Sequence, residues 1–184
     1  FRKHPAGMIP GDASPFAVIE DRHFHSVFAS LNATPTLAFL QVLAPTLNFP
    51  TGDVANVPIL EHEVCKRNVD QFVIWSETDW DAYERSWDFQ SLPILKVSSD
   101  PILTLESSYT AWITQNRDTI AEMKRLEEEN NRLFIDTYGL ADELTPDVPI
   151  EQITLTVNPA YRYGGKLDEA EQWTRFRQDT MEEL

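Results

Sequence analysis

From Arg22 onward, apolar side chains recur at three- and four-residue steps, the period of an α-helix with one buried face. In "HFHSVFASLNA" the residues on that face are Phe24, Val27, Phe28 and Leu31. "ATPTLAFLQVLA" restarts the pattern, with Thr34 as N-cap and Pro35 at the first helical position, where its missing N–H is no loss. Helices this short must pack on something else to be stable. Residues 1–20, rich in Gly and Pro, read as loop with room for one short strand. Residues 45–60 read as extended, turning at "TGD", with Val54, Val57 and Ile59 apolar. A further helix is expected roughly over residues 61–74.

In "SETDWDAYERSWDF", Thr78 followed by Asp81 resembles a capping box and predicts a new short helix. Trp80, Tyr83 and Trp87 would then share one face, best read as an aromatic surface docked on a neighbouring domain. The longest element is predicted over residues 107–138. Its stripe is Tyr109, Trp112, Asn116, Thr119, Met123, Leu126, Asn130, Leu133 and Thr137, widened by Ile113, Ile120 and Phe134. Asn116 and Asn130 on such a seam cost stability but fix register. Gly139 is a ready left-handed cap, and Pro146 prevents the helix from resuming. "ITLTV", residues 153–157, alternates like a short strand. "NPAYRYGG" follows as a turn-rich loop, and a last helix carries Trp173, Phe176 and Met181. The fold class expected is mainly α with small β content (α+β): short helices and extended segments, then a long helix, a short strand and a terminal helix.

Composition narrows this picture. With 42% apolar residues, ten Phe, five Tyr and five Trp, the 184-residue chain can bury a substantial core. No apolar run approaches the ~18 residues of a membrane span. No signal-peptide apolar region is visible, and the Asn32–Thr34 sequon therefore carries no weight. The single cysteine, Cys65, cannot form an intrachain disulfide or a thiolate zinc site and fits a reducing cytoplasm. The chain opens at "FRKHPAGMIPGD" and stops at "DTMEEL" inside a predicted helix, so we expect a piece of a longer protein. The net charge of −15 is unevenly spread. Residues 1–74 hold five Lys/Arg against seven Asp/Glu, and residues 75–184 hold ten against twenty-three. An acidic segment is a poor surface for a duplex, whereas "FRKH" and "EDRHFH" cluster the basic residues of the first part.

One short motif raises a catalytic question. "NPAY", Asn158–Tyr161, is one residue from the Asn-Pro-Pro-Tyr loop with which amino-methyltransferases hold an extruded base. That chemistry needs a rigid double proline, and Ala160 stands at the second position. It also needs a glycine-rich turn upstream for the methyl donor, whereas Gly7, Gly11 and Gly52 are isolated. The motif is therefore read as a turn. His4, His23, His25 and His62 form no zinc pattern, Cys65 has no identifiable base, and no Walker-type phosphate loop is present. No catalytic, cofactor-binding or metal-binding residue is expected.

Three stretches resemble one family. "LNATPTLAFLQVLAPTLNFPTGDVANVPIL" resembles the end of the target-recognition domain in type IIG-like adenine DNA methyltransferases. "DWDAYERSWDFQSLPIL" and "LEEENNRLFIDTYGLADELTPDVP", continued by "ITLTVNPAYRYGG", resemble segments of the PglX group, the methyltransferases of BREX phage-defence systems. The resemblance implies a large bacterial protein that uses S-adenosylmethionine to methylate adenine at a specific DNA sequence while partner proteins block phage replication. The family's methyl-donor motifs and Asn-Pro-Pro-Tyr loop lie upstream of the matching region, so no cofactor is expected in this chain. Residues 1–60 would correspond to the end of the target-recognition domain. Residues 61–104 would be connecting helices with the aromatic docking segment, and residues 105–184 a long helical spacer with a short strand and terminal helix.

A recognition module presents basic and polar side chains from loops on a rigid scaffold. The DNA-contact candidates are Arg2, Lys3, Arg22 and His23, with Arg162, Tyr163 and Lys166 as a second set. The implied setting is cytoplasmic, with double-stranded DNA and other defence proteins as partners and no membrane. A competing expectation is an acidic helical module that docks defence subunits without touching DNA.

Overall fold

The computed structural model describes residues 1–4, 7, 9, 16–44, 49–63, 66–96 and 104–183. Seven α-helices appear among them: α1 (Asp21–Leu31), α2 (Thr34–Leu43), α3 (Thr51–Ala55), α4 (Lys66–Asp81), α5 (Leu105–Tyr138), α6 (Pro159–Tyr163) and α7 (Glu169–Glu183). Single 3-10 turns lie at Pro93–Leu95 and Ile150–Gln152. No strand occurs among the described residues, so the expected α+β class is corrected to all-helical. No single described helix is long and apolar enough to cross a membrane.

The chain forms two compact units: Phe1–Val73 with Leu126–Asp147, and Ile74–Arg125 with Val148–Leu184. The core of the first gathers Ala29, Ala33, Val69 and Phe134, with Phe24, Phe28, Leu133 and Tyr138 packed against it. Of these, Phe24 and Phe28 of α1 and Leu133 and Phe134 of α5 are the ones that the helical period put on inner faces; Ala29, Ala33, Val69 and Tyr138 were not among them. Phe24 stacks on Phe28 at 5.4 Å between centroids, and Phe39 meets Tyr138 edge-on at 5.3 Å. Gly139, at φ 69°, ends α5. Leu140 N–H donates to the Ile135 carbonyl at 2.9 Å and Gly139 N–H to Asp136 at 3.1 Å, the paired bonds of a Schellman cap.

α1 and α2 meet at a 73° bend, where helix-end groups lose their intrahelical partners. Two adjacent asparagines of α5 supply them. Asn130 Nδ2 donates to the Ala29 carbonyl at 3.0 Å. Asn131 Oδ1 accepts the Thr34 N–H at 3.0 Å, while its Nδ2 donates to Pro146 at 3.2 Å. Thr34 is thus the first helical residue rather than its own cap, and Ala33 takes the cap position. On the same helix, burial pushes the Glu127 carboxyl up to about 7.

In the second unit, Tyr109, Trp112, Phe176 and Trp173 form a continuous aromatic chain, with successive centroids 6.0, 5.8 and 5.7 Å apart. Asn116, placed on the α5 stripe by its spacing, is buried, and its Nδ2 meets no partner. The expected strand at 153–157 does not form: Leu155 N–H donates to the Ile153 carbonyl at 2.9 Å and Asn158 N–H to the Leu155 carbonyl at 3.0 Å, so the chain turns at residues 156 and 157. Ile153, Leu155 and Val157 are buried in alternation, which is why the pattern imitates a strand. The Thr156 and Val157 N–H groups go to a carboxylate of α4: Asp79 Oδ2 accepts Thr156 N–H at 2.8 Å and Thr156 Oγ1–H at 2.7 Å, and Oδ1 accepts Val157 N–H at 3.2 Å.

α4 also runs through the expected break at Thr78, so the separate helix carrying Trp80, Tyr83 and Trp87 on one face does not form. Residues 82–88 are a turn organised by Ser86, whose Oγ donates to Asp81 at 2.6 Å and accepts Asp88 N–H at 3.2 Å. "TGD", expected as a turn in an extended run, opens the one-turn helix α3.

Candidate nucleic-acid interface

The "FRKH" segment leaves Arg2 and Lys3 exposed. Arg22 and His23 stand in the first turn of α1, where each meets a carboxylate. Arg22 Nε lies 2.8 Å from Glu20, and His23 Nδ1 lies 2.7 Å from Glu61. His25, one residue on, pairs with Asp70 at 2.9 Å. A phosphate reaching Arg22 or His23 therefore competes with an existing anion. A groove of about 380 Å³ in the same unit is lined by Glu63, Asn68, Phe72, Glu129, Arg132 and Asp136. Three carboxylates against one guanidinium make it a poor cradle for phosphate.

The second set sits where α6 turns into α7. Asn158 caps α6, its Oδ1 accepting Ala160 N–H at 3.1 Å, with Pro159 in the first turn. Gly164, at φ 62°, ends α6 after five residues. Asp168 and Glu171 then form a reciprocal capping box, each side chain accepting the other's N–H at 2.9 and 3.0 Å. This tight geometry brings Arg162, Tyr163 and Arg175 together. The Arg162 guanidinium lies 5.7 Å from the Tyr163 ring and 5.9 Å from Phe176. Arg175 of α7 lies 6.0 Å from the same Tyr163 ring. Lys166, in the connecting loop, is exposed.

The Tyr163 hydroxyl donates to Asp179 at 2.7 Å, and Arg175 pairs with the same carboxylate at 3.3 Å. Burial and that bond hold the Tyr163 hydroxyl well above the usual phenol range, so it stays a neutral donor. The bond from Tyr163 in turn holds Asp179 below the usual carboxylate range. Ring faces attract guanidinium and hold its plane, which prepares its fork for two oxygens of an oxyanion.

Sequence reasoning passed over three cations here. Arg117 of α5 lies 4.5 Å above the Trp173 ring. Arg177 lies 5.5 Å from the Tyr109 ring and pairs with Glu106 at 2.8 Å. Arg175 is the third. The available signal was "RFR", two arginines flanking an apolar position that had been read only for its phenylalanine.

"NPAY" is a structural knot. Besides capping α6, Asn158 donates from Nδ2 to the Ile150 and Ile153 carbonyls at 2.8 and 2.9 Å and is only 1% exposed. Every polar atom of the amide is committed, so a base amino group would have to break these bonds to reach it. The motif opens a helix rather than a turn. Among the described residues, no three His, Cys, Asp or Glu side chains gather as a metal site. Cys65 lies outside the described residues.

The resemblance to PglX-type adenine-specific methyltransferases is borne out by two curated relatives. The chain is 31% identical over 157 residues to the adenine-specific methyltransferase PglX of Lacticaseibacillus casei (strain Zhang), covering 77% of this chain and 13% of that protein. It is 25% identical over 186 residues to the adenine-specific methyltransferase BrxX of Escherichia coli O9:H4 (strain HS), covering 100% of this chain and 15% of that protein. No protein-family model matches the chain.

Proposed function

Taking the chain as a relative of a short segment of PglX-type adenine-specific methyltransferases, we propose that it is a non-catalytic part of a site-specific adenine DNA methyltransferase. In this reading the whole protein uses S-adenosylmethionine, works in the cytoplasm in phage defence, and draws on this part for DNA target recognition and a helical spacer. The observation that carries the reading is the likeness to two proteins that bear this activity in their names. Arg162, Tyr163, Lys166 and Arg175 give DNA phosphates a place to meet the chain. Arg2, Lys3, Arg22 and His23 form a second contact zone, weakened by Glu20 and Glu61.

Duplex binding by the chain, followed by fluorescence anisotropy against salt, tests the interface. Arg162→Ala with Lys166→Ala should weaken binding about tenfold and shallow the logarithmic salt slope by roughly 2, one step for each lost phosphate contact. Unchanged affinity and slope would remove these residues from the interface.

The charge distribution favours a second reading for residues 75–184. Ten cations against twenty-three carboxylates suit a segment that docks other defence-system proteins and stays off DNA.

A further inference from the structure

The end of α4 and the turn after it carry aromatic surface that the described residues leave largely uncovered. Trp87 is 93% exposed and Trp80 54% exposed. The display is built rather than loose, because Ser86 is buried and tied to Asp81 and to the Asp88 N–H. Those bonds fix the backbone on both sides of Trp87. An exposed indole forfeits the burial that most tryptophans obtain, so its position in a hydrogen-bonded turn calls for an occupant.

The neighbouring chemistry says which kind. Arg85 already lies against two ring faces of this ledge, 4.8 Å from Trp80 and 5.0 Å from Tyr83. Residues 77–88 hold Glu77, Asp79, Asp81, Glu84 and Asp88 against that single arginine. Asp79 is engaged by Thr156 and Val157, and Asp81 by Ser86; Glu77, Glu84 and Asp88 are exposed. Nucleic acid would be repelled by this charge, and so would a second copy of a chain carrying −15. A guanidinium gains from both features at once, through stacking on the ring and attraction to the carboxylates.

We propose that this acidic aromatic ledge, the end of α4 with the turn at 82–88, is a docking surface for a protein that presents arginine side chains, with Trp87 as the anchor. The proposal rests on the second reading above and gives it an address. Trp87 receives a partner guanidinium as Trp80 receives Arg85, while Glu84 and Asp88 steer the approach.

The test titrates the 184-residue chain into a labelled peptide of about nine arginines, with lysine and glutamate peptides of equal length, near physiological salt. The arginine peptide should bind more tightly than the lysine peptide, and the glutamate peptide should not bind. Trp87→Ala should weaken arginine-peptide binding about three- to tenfold. Glu143→Gln, which removes a charge from the other unit, should leave it nearly unchanged. Trp87 is too exposed for its loss to unfold the chain, and the circular dichroism of the variant should match that of wild type. Equal binding by wild type, Trp87→Ala and Trp80→Ala would overturn the ledge while leaving an acidic docking segment standing. If no basic peptide binds, both ideas fall. A self-association that Trp87→Ala abolishes would make the occupant a second copy and also overturn the proposal.

Discussion

The bend between α1 and α2 in one unit and the irregular run at 153–157 in the other pose the same problem. In each, backbone groups leave regular structure before they are solvated, and a side chain from a sequence-distant helix receives them. At the bend the side chains are the neutral amides Asn130 and Asn131, which give one bond to each helix end. At 153–157 a single carboxylate, Asp79, takes two N–H groups and a hydroxyl. A neutral amide is indifferent to pH and salt. A charged acceptor makes stronger bonds but concentrates the segment's polar satisfaction in one group. The second unit therefore has one point of failure where the first has two partial ones.

Removing that point should have the largest effect. Asp79→Ala strands two N–H groups and a hydroxyl, and should destabilise the chain by ~3 kcal/mol in denaturant melts. Asp79→Asn, which retains one acceptor oxygen, should recover part of the loss. If Asp79→Ala melts like wild type, the carboxylate does not hold the segment.

A smaller effect makes the first unit the pH-sensitive one despite its amides. Glu127 titrates at about 7 when folded, against 4.5 for an unperturbed carboxyl. Between those values the folded chain keeps a proton that the unfolded chain has released. Stability from this group is thus full below the unfolded value and is lost as pH rises through the folded one. Glu127→Gln, neutral throughout, should flatten that fall and gain ~2 kcal/mol near pH 8. An unaltered profile of melting temperature against pH would contradict it.

The smallest effect belongs to the asparagine pair. Asn131→Ala should cost ~1–2 kcal/mol, the range of a lost helix cap, and Asn130→Ala less. Equal costs for Asn131→Ala and Asp79→Ala would erase the contrast between the two closures.

The long helix was the most legible element, because its stripe repeats from Tyr109 to Phe134 and Gly139 closes it with a local bond pattern. Elements decided by distant partners were not legible. "ITLTV" alternates as a strand does, yet its hydrogen-bond partner sits on α4, 77 residues away from Thr156. Thr78 resembled a cap, but a weak local signal yields to the packing that carries α4 on to Asp81. The same limit applied to the candidate interface. Arg162, Tyr163 and Lys166 stood out in a turn-rich loop, whereas Arg117, Arg175 and Arg177 became visible only once α5, α6 and α7 shared aromatic faces. Asn158 was read as part of a turn, and its three-bond role inside the fold was not legible.

The account's central claim is that this chain positions DNA and partners while the methyl transfer belongs elsewhere in the whole protein. Incubating the purified chain with duplex DNA and methyl-labelled S-adenosylmethionine tests it most directly. The account predicts no saturable uptake of the methyl donor and no label on adenine. Stoichiometric binding of the donor, or label appearing in the DNA, would contradict it.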